Sequence, residues 1–295
     1  MYFKKTLCEN CQNHFDECLE QCPKCKTRNY RFEQLNLSKQ MTWTTTFRQL
    51  GLFLFGWVGL QFISLVFSLI YAGFVAGVNS IDYLDAVASL DLPSNSIVVN
   101  SVSYLLLLVG TIMIVWPQIR KLLSGFKNEG NWLFGLLIGV CLIAASIGYS
   151  MFVSFFYETS GNDNQSSLEV LVGYYPVVSL VIFGFIGPIV EELVYRVGLF
   201  NLLSRTKRWI AYVATVLIFA FIHFNPVAIL DVLINYNPDI VNALVNELIN
   251  IPQYVIAGLL LCLAYEKFGF AGSTIAHIVN NVVSILSVII TLQLS

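Results

Sequence analysis

The sequence predicts an all-α fold: a polytopic membrane bundle of about seven transmembrane helices, with a small N-terminal zinc ribbon. Three observations carry that expectation. Hydrophobic residues make up 57% of the 295 and charged residues only 12%, a balance outside the soluble globular range. The apolar residues are gathered into uninterrupted stretches long enough to cross roughly 30 Å of hydrocarbon. Five of the seven cysteines fall within the first 25 residues.

Those cysteines define the first element, residues 1–30. Four of them form Cys8-x-x-Cys11 and Cys22-x-x-Cys25, two tight turns that together offer the four thiolates of a tetrahedral Zn²⁺ site. Two disulfides are the alternative, disfavoured in a reducing cytoplasmic setting. Cys18 and His14 are spare. A module this short cannot bury a core of its own, so zinc supplies its folding energy, and four protein ligands make the site structural. Residues 31–48 read as a linker and juxtamembrane segment. The polar, Cys-rich first 40 residues do not read as a cleavable signal peptide.

Seven apolar stretches follow, at 49–78, 97–116, 132–156, 171–204, 209–224, 252–266 and 271–293. In lipid the backbone must satisfy its own hydrogen bonds, so each is a helix. The first three form an N-terminal transmembrane part, 49–156, and the rest a second unit, 170–293. Lys and Arg occupy alternate connections: Lys4 to Arg48, then Arg120, Lys121 and Lys127, then Arg205, Lys207 and Arg208, then Lys267. The intervening connections carry acids, among them Asp82, Asp163 and Glu247. This asymmetry places the N-terminus in the cytoplasm and the C-terminus outside, in a multi-pass cell-membrane protein. Arg196 alone breaks the pattern. The acidic outer connection 225–251, of intermediate hydrophobicity, is expected to form a re-entrant or interfacial helix that caps the bundle.

The polar residues within the spans carry the chemistry. Glu191 and Glu192 sit side by side in the fourth span, where a charge costs roughly 2.5–3.5 kcal/mol and calls for a partner or a function. Glu192 and Arg196, spaced i, i+4, pair on one face, which leaves Glu191 without a cation. A carboxylate in that condition suits a general base. His223 lies in the fifth span; His277 and Asn281 share one face of the seventh. Glu191 lies 14 residues before Arg205, His223 lies 15 after Arg208, and Asn281 lies 14 after Lys267. Each is therefore roughly 21–22 Å from a basic anchor, and His277 roughly 15 Å. Three helices bring their strongest polar groups to similar depth.

At these residues the chain resembles the CPBP family (CAAX proteases and bacteriocin-processing enzymes, also called Abi). Its signatures Glu-Glu-x-x-x-Arg, Phe-x-x-x-His and His-x-x-x-Asn/Asp appear in order as Glu191-Glu192 with Arg196, Phe219 with His223, and His277 with Asn281. The resemblance covers roughly residues 170–290. It implies an intramembrane endopeptidase in which Glu191 and His223 activate water, while His277 and Asn281 stabilise the oxyanion or position the scissile carbonyl. Glu192 and Arg196 support them. A catalytic metal is left open. The absence of a His-Glu-x-x-His helix leans towards a metal-free scheme.

The expected partners are the lipid bilayer, a membrane-associated peptide or protein substrate, and a cytoplasmic protein docking on the ribbon; no nucleic-acid partner is expected. The family's roles include prenylated-protein processing, peptide maturation and bacteriocin self-immunity. Two rival readings are a proton-coupled transporter, since intramembrane acids with His mark ion pathways, and a catalytically silent scaffold presenting the ribbon. No internal repeat supports the first, and the intact Glu191, His223, His277 and Asn281 set argues against the second.

Overall fold

The computed structural model describes residues 5–16, 19, 21–27, 46–158, 162–234 and 238–294. Cys18 and all but the last three residues of the expected linker lie outside the described residues. The N-terminal module is a β-hairpin of β1 (Lys5–Leu7) and β2 (His14–Asp16), antiparallel with Thr6 opposite Phe15. Its core consists of Phe15 and the four cysteines.

The rest is helical. The elements are α1 (Thr46–Asn79), α2 (Tyr83–Ala88), α3 (Pro93–Lys127), α4 (Glu129–Ser154), α5 (Asp163–Tyr174), α6 (Pro176–Ser204), α7 (Arg208–Phe221), α8 (Val227–Ile234) and α9 (Pro238–Leu294). Among the described residues five of them, α1, α3, α4, α6 and α9, are long and apolar enough to cross a membrane. The chain is therefore a polytopic membrane helix bundle. The expected seven spans map onto these five, onto the shorter apolar α7, and onto a division of α9 into two limbs. That division falls at Gly269, whose backbone (φ 66, ψ −165) lies in a region open only to glycine. The contacts confirm the reversal: Tyr254 of the first limb and His277 of the second line one cavity with Glu191, while Tyr265 between them reaches Asn201 near the far end of α6.

Two boundaries differ from the sequence reading. Residues 171–174 belong to α5, because Pro176 opens a new helix and Tyr175 before it is non-helical. Within 225–251, residues from Pro238 onward are the continuous start of α9 rather than a separate capping segment. The apolar and the amphipathic stretch there keep one helical register across Pro252.

The ends of the bundle are segregated by charge. At one end Arg205 Nε donates to Gln49 Oε1 over 2.8 Å, and Arg208 pairs with Glu266. At the other, Asp163, Asn225 and Glu247 are joined by hydrogen bonds. α4 packs along the second limb of α9 through Gly135 and Gly139, small residues that let helix backbones approach in lipid.

Candidate functional site

The site grows from irregularities in α6. Pro188 has no N–H to give the preceding turn, and the backbone widens to i→i+5 hydrogen bonding over Leu180–Ile186 and again over Glu192–Phe200. Glu191 closes the ordinary α-helical segment Gly187–Glu191 that separates the two widened stretches, and Glu192 opens the second. Neighbours on a helix point about 100° apart, so they face different surroundings.

Glu192 points inward. Its Oε1 lies 3.1 Å from Arg196 Nη1, with both side chains 0% exposed. The Arg196 guanidinium sits 4.3 Å over the centre of the Phe219 ring, a desolvated cation–π contact. The same Glu192 oxygen is 2.9 Å from His277 Nδ1. A carboxylate paired with Arg accepts hydrogen bonds, so Nδ1 carries the proton. His277 Nε2 then faces Glu191, 3.8 Å from Oε2. His277 thus stands between the two glutamates.

Glu191 points outward into a cavity of about 380 Å³, lined also by His223, His277 and Asn281. Its side chain retains 18% exposure, against none for Glu192. His223 follows the last turn of α7, and its Nδ1 lies 2.8 Å from the Phe219 carbonyl. A carbonyl only accepts, so Nδ1 is protonated and Nε2 is the ring nitrogen left for the cavity. Asn281 donates to the Phe183 carbonyl over 3.1 Å and accepts from Asn280, leaving one of its two N–H groups. A second cavity, about 530 Å³, shares Glu191 and His223 and is lined by Trp57, Leu60, Leu217 and Phe221. Glu191 and His223 are therefore reached from a polar side and from an apolar side.

Sequence reasoning missed three residues around His223. Tyr254 stacks on its ring with centroids 4.3 Å apart, Asn162 donates to its carbonyl over 3.0 Å, and Glu247 is buried nearby at 2% exposure. One signal was available. Glu247, Asn250 and Tyr254 recur at i, i+3 and i+7, a polar stripe on one helical face at the head of an apolar span.

The four Sγ atoms of Cys8, Cys11, Cys22 and Cys25 lie within 4.8 Å of one another, with Cys8–Cys25 at 3.4 Å and Cys11–Cys22 at 3.6 Å. Those spacings far exceed the roughly 2.05 Å of a disulfide and approach the ~3.8 Å edge of a tetrahedron with 2.3 Å Zn–S bonds. The two knuckles are alike: Gln12 N–H bonds to Cys8 O and Lys26 N–H to Cys22 O, each over 2.9 Å. Gln12 and Lys26 both adopt positive φ, 55° and 61°. These four cysteines fit zinc. In the membrane site, Glu191 Oε2 and His277 Nε2 lie 3.8 Å apart and His223 lines the same cavity.

Comparison with known proteins agrees in part of the chain. Residues 173–283 match the model of the family described as type II CAAX prenyl endopeptidase Rce1-like. The UPF0177 protein YvdC of Lactococcus lactis subsp. lactis (strain IL1403) is 29% identical over 89 residues, 30% of this chain and 34% of that protein. The chain thus spans about a third of the length of the curated relative it matches. No solved structure gives a significant match. The matched segment is the one that carries Glu191, His223, His277 and Asn281.

Proposed function

We propose that this protein is an intramembrane endopeptidase that hydrolyses peptide bonds of membrane-associated peptides or proteins with water activated by Glu191 and His223. One observation carries the reading: Glu191, His223, His277 and Asn281, from three helices, line a single cavity. A water held between the Glu191 carboxylate and the bare Nε2 of His223 loses its proton to Glu191 as its oxygen bonds to the scissile carbonyl carbon. The oxyanion that forms takes a hydrogen bond from the free Asn281 N–H. His277, held through Nδ1 by Glu192, stands at the same cavity and positions the scissile carbonyl. Collapse of the tetrahedral intermediate breaks the C–N bond, and Glu191 returns its proton to the leaving amine.

The lack of a His-Glu-x-x-His helix favours this metal-free route over one shared ion. The apolar chamber beside Glu191 suits the hydrophobic flank of a substrate that arrives through lipid. Charge asymmetry puts the ribbon and N-terminus in the cytoplasm and the C-terminus outside. There the zinc-held ribbon is a docking element for a cytoplasmic protein. Maturation of a membrane-bound peptide or self-immunity to a bacteriocin is the physiological setting we favour.

The test compares protein N- and C-termini in membranes holding wild type or Glu191→Gln at matched expression. Ends present with wild type and absent with Glu191→Gln are expected. Identical sets of ends, with His223→Ala equally silent, refute proteolysis and move the weight to a transporter or a silent scaffold.

A further inference from the structure

His223 lies beyond the regular hydrogen-bonding of its own helix. α7 ends at Phe221, and the next residues carry backbone groups that other elements must satisfy. The His223 carbonyl accepts from Asn162 Nδ2 over 3.0 Å. Two residues on, the Asn225 N–H donates to Glu247 Oε2 over 2.9 Å. The other oxygen of Glu247 accepts the Asp163 N–H, at the start of α5, over 2.7 Å. Asn225 Nδ2 closes the ring by donating to Asp163 Oδ2, also over 2.7 Å. Above the His223 ring, Tyr254 stacks at 4.3 Å with planes 15° apart, and Tyr254 follows Glu247 by two helical turns on α9.

Glu247 is 2% exposed, and among the described residues no Lys or Arg forms an ion pair with it. A buried carboxyl group so placed costs free energy unless its oxygens are hydrogen-bonded, and here both oxygens bond to backbone N–H groups. We propose that Glu247 is a positioning residue for His223: it clamps the end of α7 to the start of α5, fixing the imidazole against Tyr254 with Nε2 turned to the cavity. Neither Glu247 nor its N–H partners touch the reacting atoms. Its effect on turnover rests on the proteolytic reading; its effect on the imidazole does not.

The chain has three histidines, so ¹⁵N-histidine labelling of the full-length protein in lipid nanodiscs gives an assignable spectrum. The wild type is expected to show His223 as the Nδ1–H tautomer. Glu247→Ala is expected to broaden or mix the His223 signals while those of His14 and His277 stay in place. Glu247→Gln retains one acceptor oxygen and opposes an NH₂ to the second N–H. It should give a smaller change at His223, and it serves in place of Glu247→Ala if that variant does not fold. On a substrate identified through Glu191→Gln, kcat should fall about 10- to 100-fold with little change in KM. A His223 tautomer signature unaltered in a folded Glu247 variant overturns the proposal. If His223 is disturbed but Glu191→Gln alters no termini, the clamp stands and the proteolytic reading falls.

Discussion

Replacing Arg196 with Met tests the electrostatic core of the site. Arg196 and Glu192 are both fully shielded from solvent at 3.1 Å, and Arg196 also covers the Phe219 ring at 4.3 Å. Met conserves much of the apolar stem, so the loss is chiefly that of the charge. Removing one partner of a buried pair typically costs about 3–5 kcal/mol, because the survivor stays buried without its counter-ion. That is a shift of roughly 150- to 5,000-fold in the unfolding equilibrium at about 1.4 kcal/mol per decade. The residual bond from His277 to Glu192 places the expectation at the lower end, about 3 kcal/mol. Glu192→Gln should cost a similar amount by stranding Arg196. The double variant should cost about 2–3 kcal/mol less than the sum of the two, since neither charge is then left alone. Reversible unfolding in mixed micelles of rising dodecyl sulfate fraction, followed by tryptophan fluorescence, measures all three. Additive costs, or a loss under about 1 kcal/mol for Arg196→Met, would refute the claim that this pair is a mutually dependent buried unit.

Two further outcomes follow from the packing and from the ribbon. A β-carbon at Gly139 would lie 2.7 Å from Val279 Cβ, and one at Gly135 would lie 2.9 Å from Ile275 Cβ, whereas Gly148 has nothing within 4 Å. Gly135→Ala and Gly139→Ala should each destabilise by about 1–3 kcal/mol, with Gly148→Ala neutral or stabilising by up to about 1 kcal/mol in the same unfolding assay; equal effects at the three sites would sink the close-packing argument. The purified protein should contain one zinc per chain by elemental analysis, and Cys22→Ser should release it and expose residues 5–27 to limited proteolysis. A zinc-free wild type with a protease-resistant hairpin would refute a metal-dependent fold.

Much of this architecture was legible in the sequence because lipid imposes simple rules. Apolar length and the demand for internal backbone hydrogen bonds identify spans without tertiary information. The i, i+4 spacing of Glu192 and Arg196 likewise located their pair. What escaped depended on contacts across the chain. Tyr254 looks like any aromatic residue of an apolar span until His223, 31 residues away, is seen stacked on it. Glu247 resembled the solvated acids of an outer connection, and only the approach of Asp163 and Asn225 makes it a buried acceptor. Helix continuity across 238–268 was hidden by Pro252 and by the mixed polarity before it. The reversal itself was legible, because Lys267 and a short gap part the stretches 252–266 and 271–293, and the structure sets it at Gly269.

Phe219 explains why an aromatic residue belongs four positions before His223. Its carbonyl takes the Nδ1 proton of His223, while its ring supports the Arg196 cation and meets the His277 ring edge-on at 5.9 Å. One residue therefore touches all three polar helices, and a smaller apolar side chain would keep the carbonyl contact but forfeit the other two. The charge beneath the cavity is fixed in consequence. Arg196, sealed under Phe219, commits Glu192 to an ion pair, and Glu192 in turn fixes His277 through Nδ1. A proton leaving a water in the cavity cannot be taken by Glu192 without breaking a buried pair, which would cost several kcal/mol on the scale of about 3–5. Glu191 carries no such commitment and keeps partial contact with the cavity. Two adjacent, chemically identical carboxyl groups are separated into a buried anchor and a cavity-facing carboxylate, the one we propose as proton acceptor, by the angular step of the helix and by the ring that shields one of them.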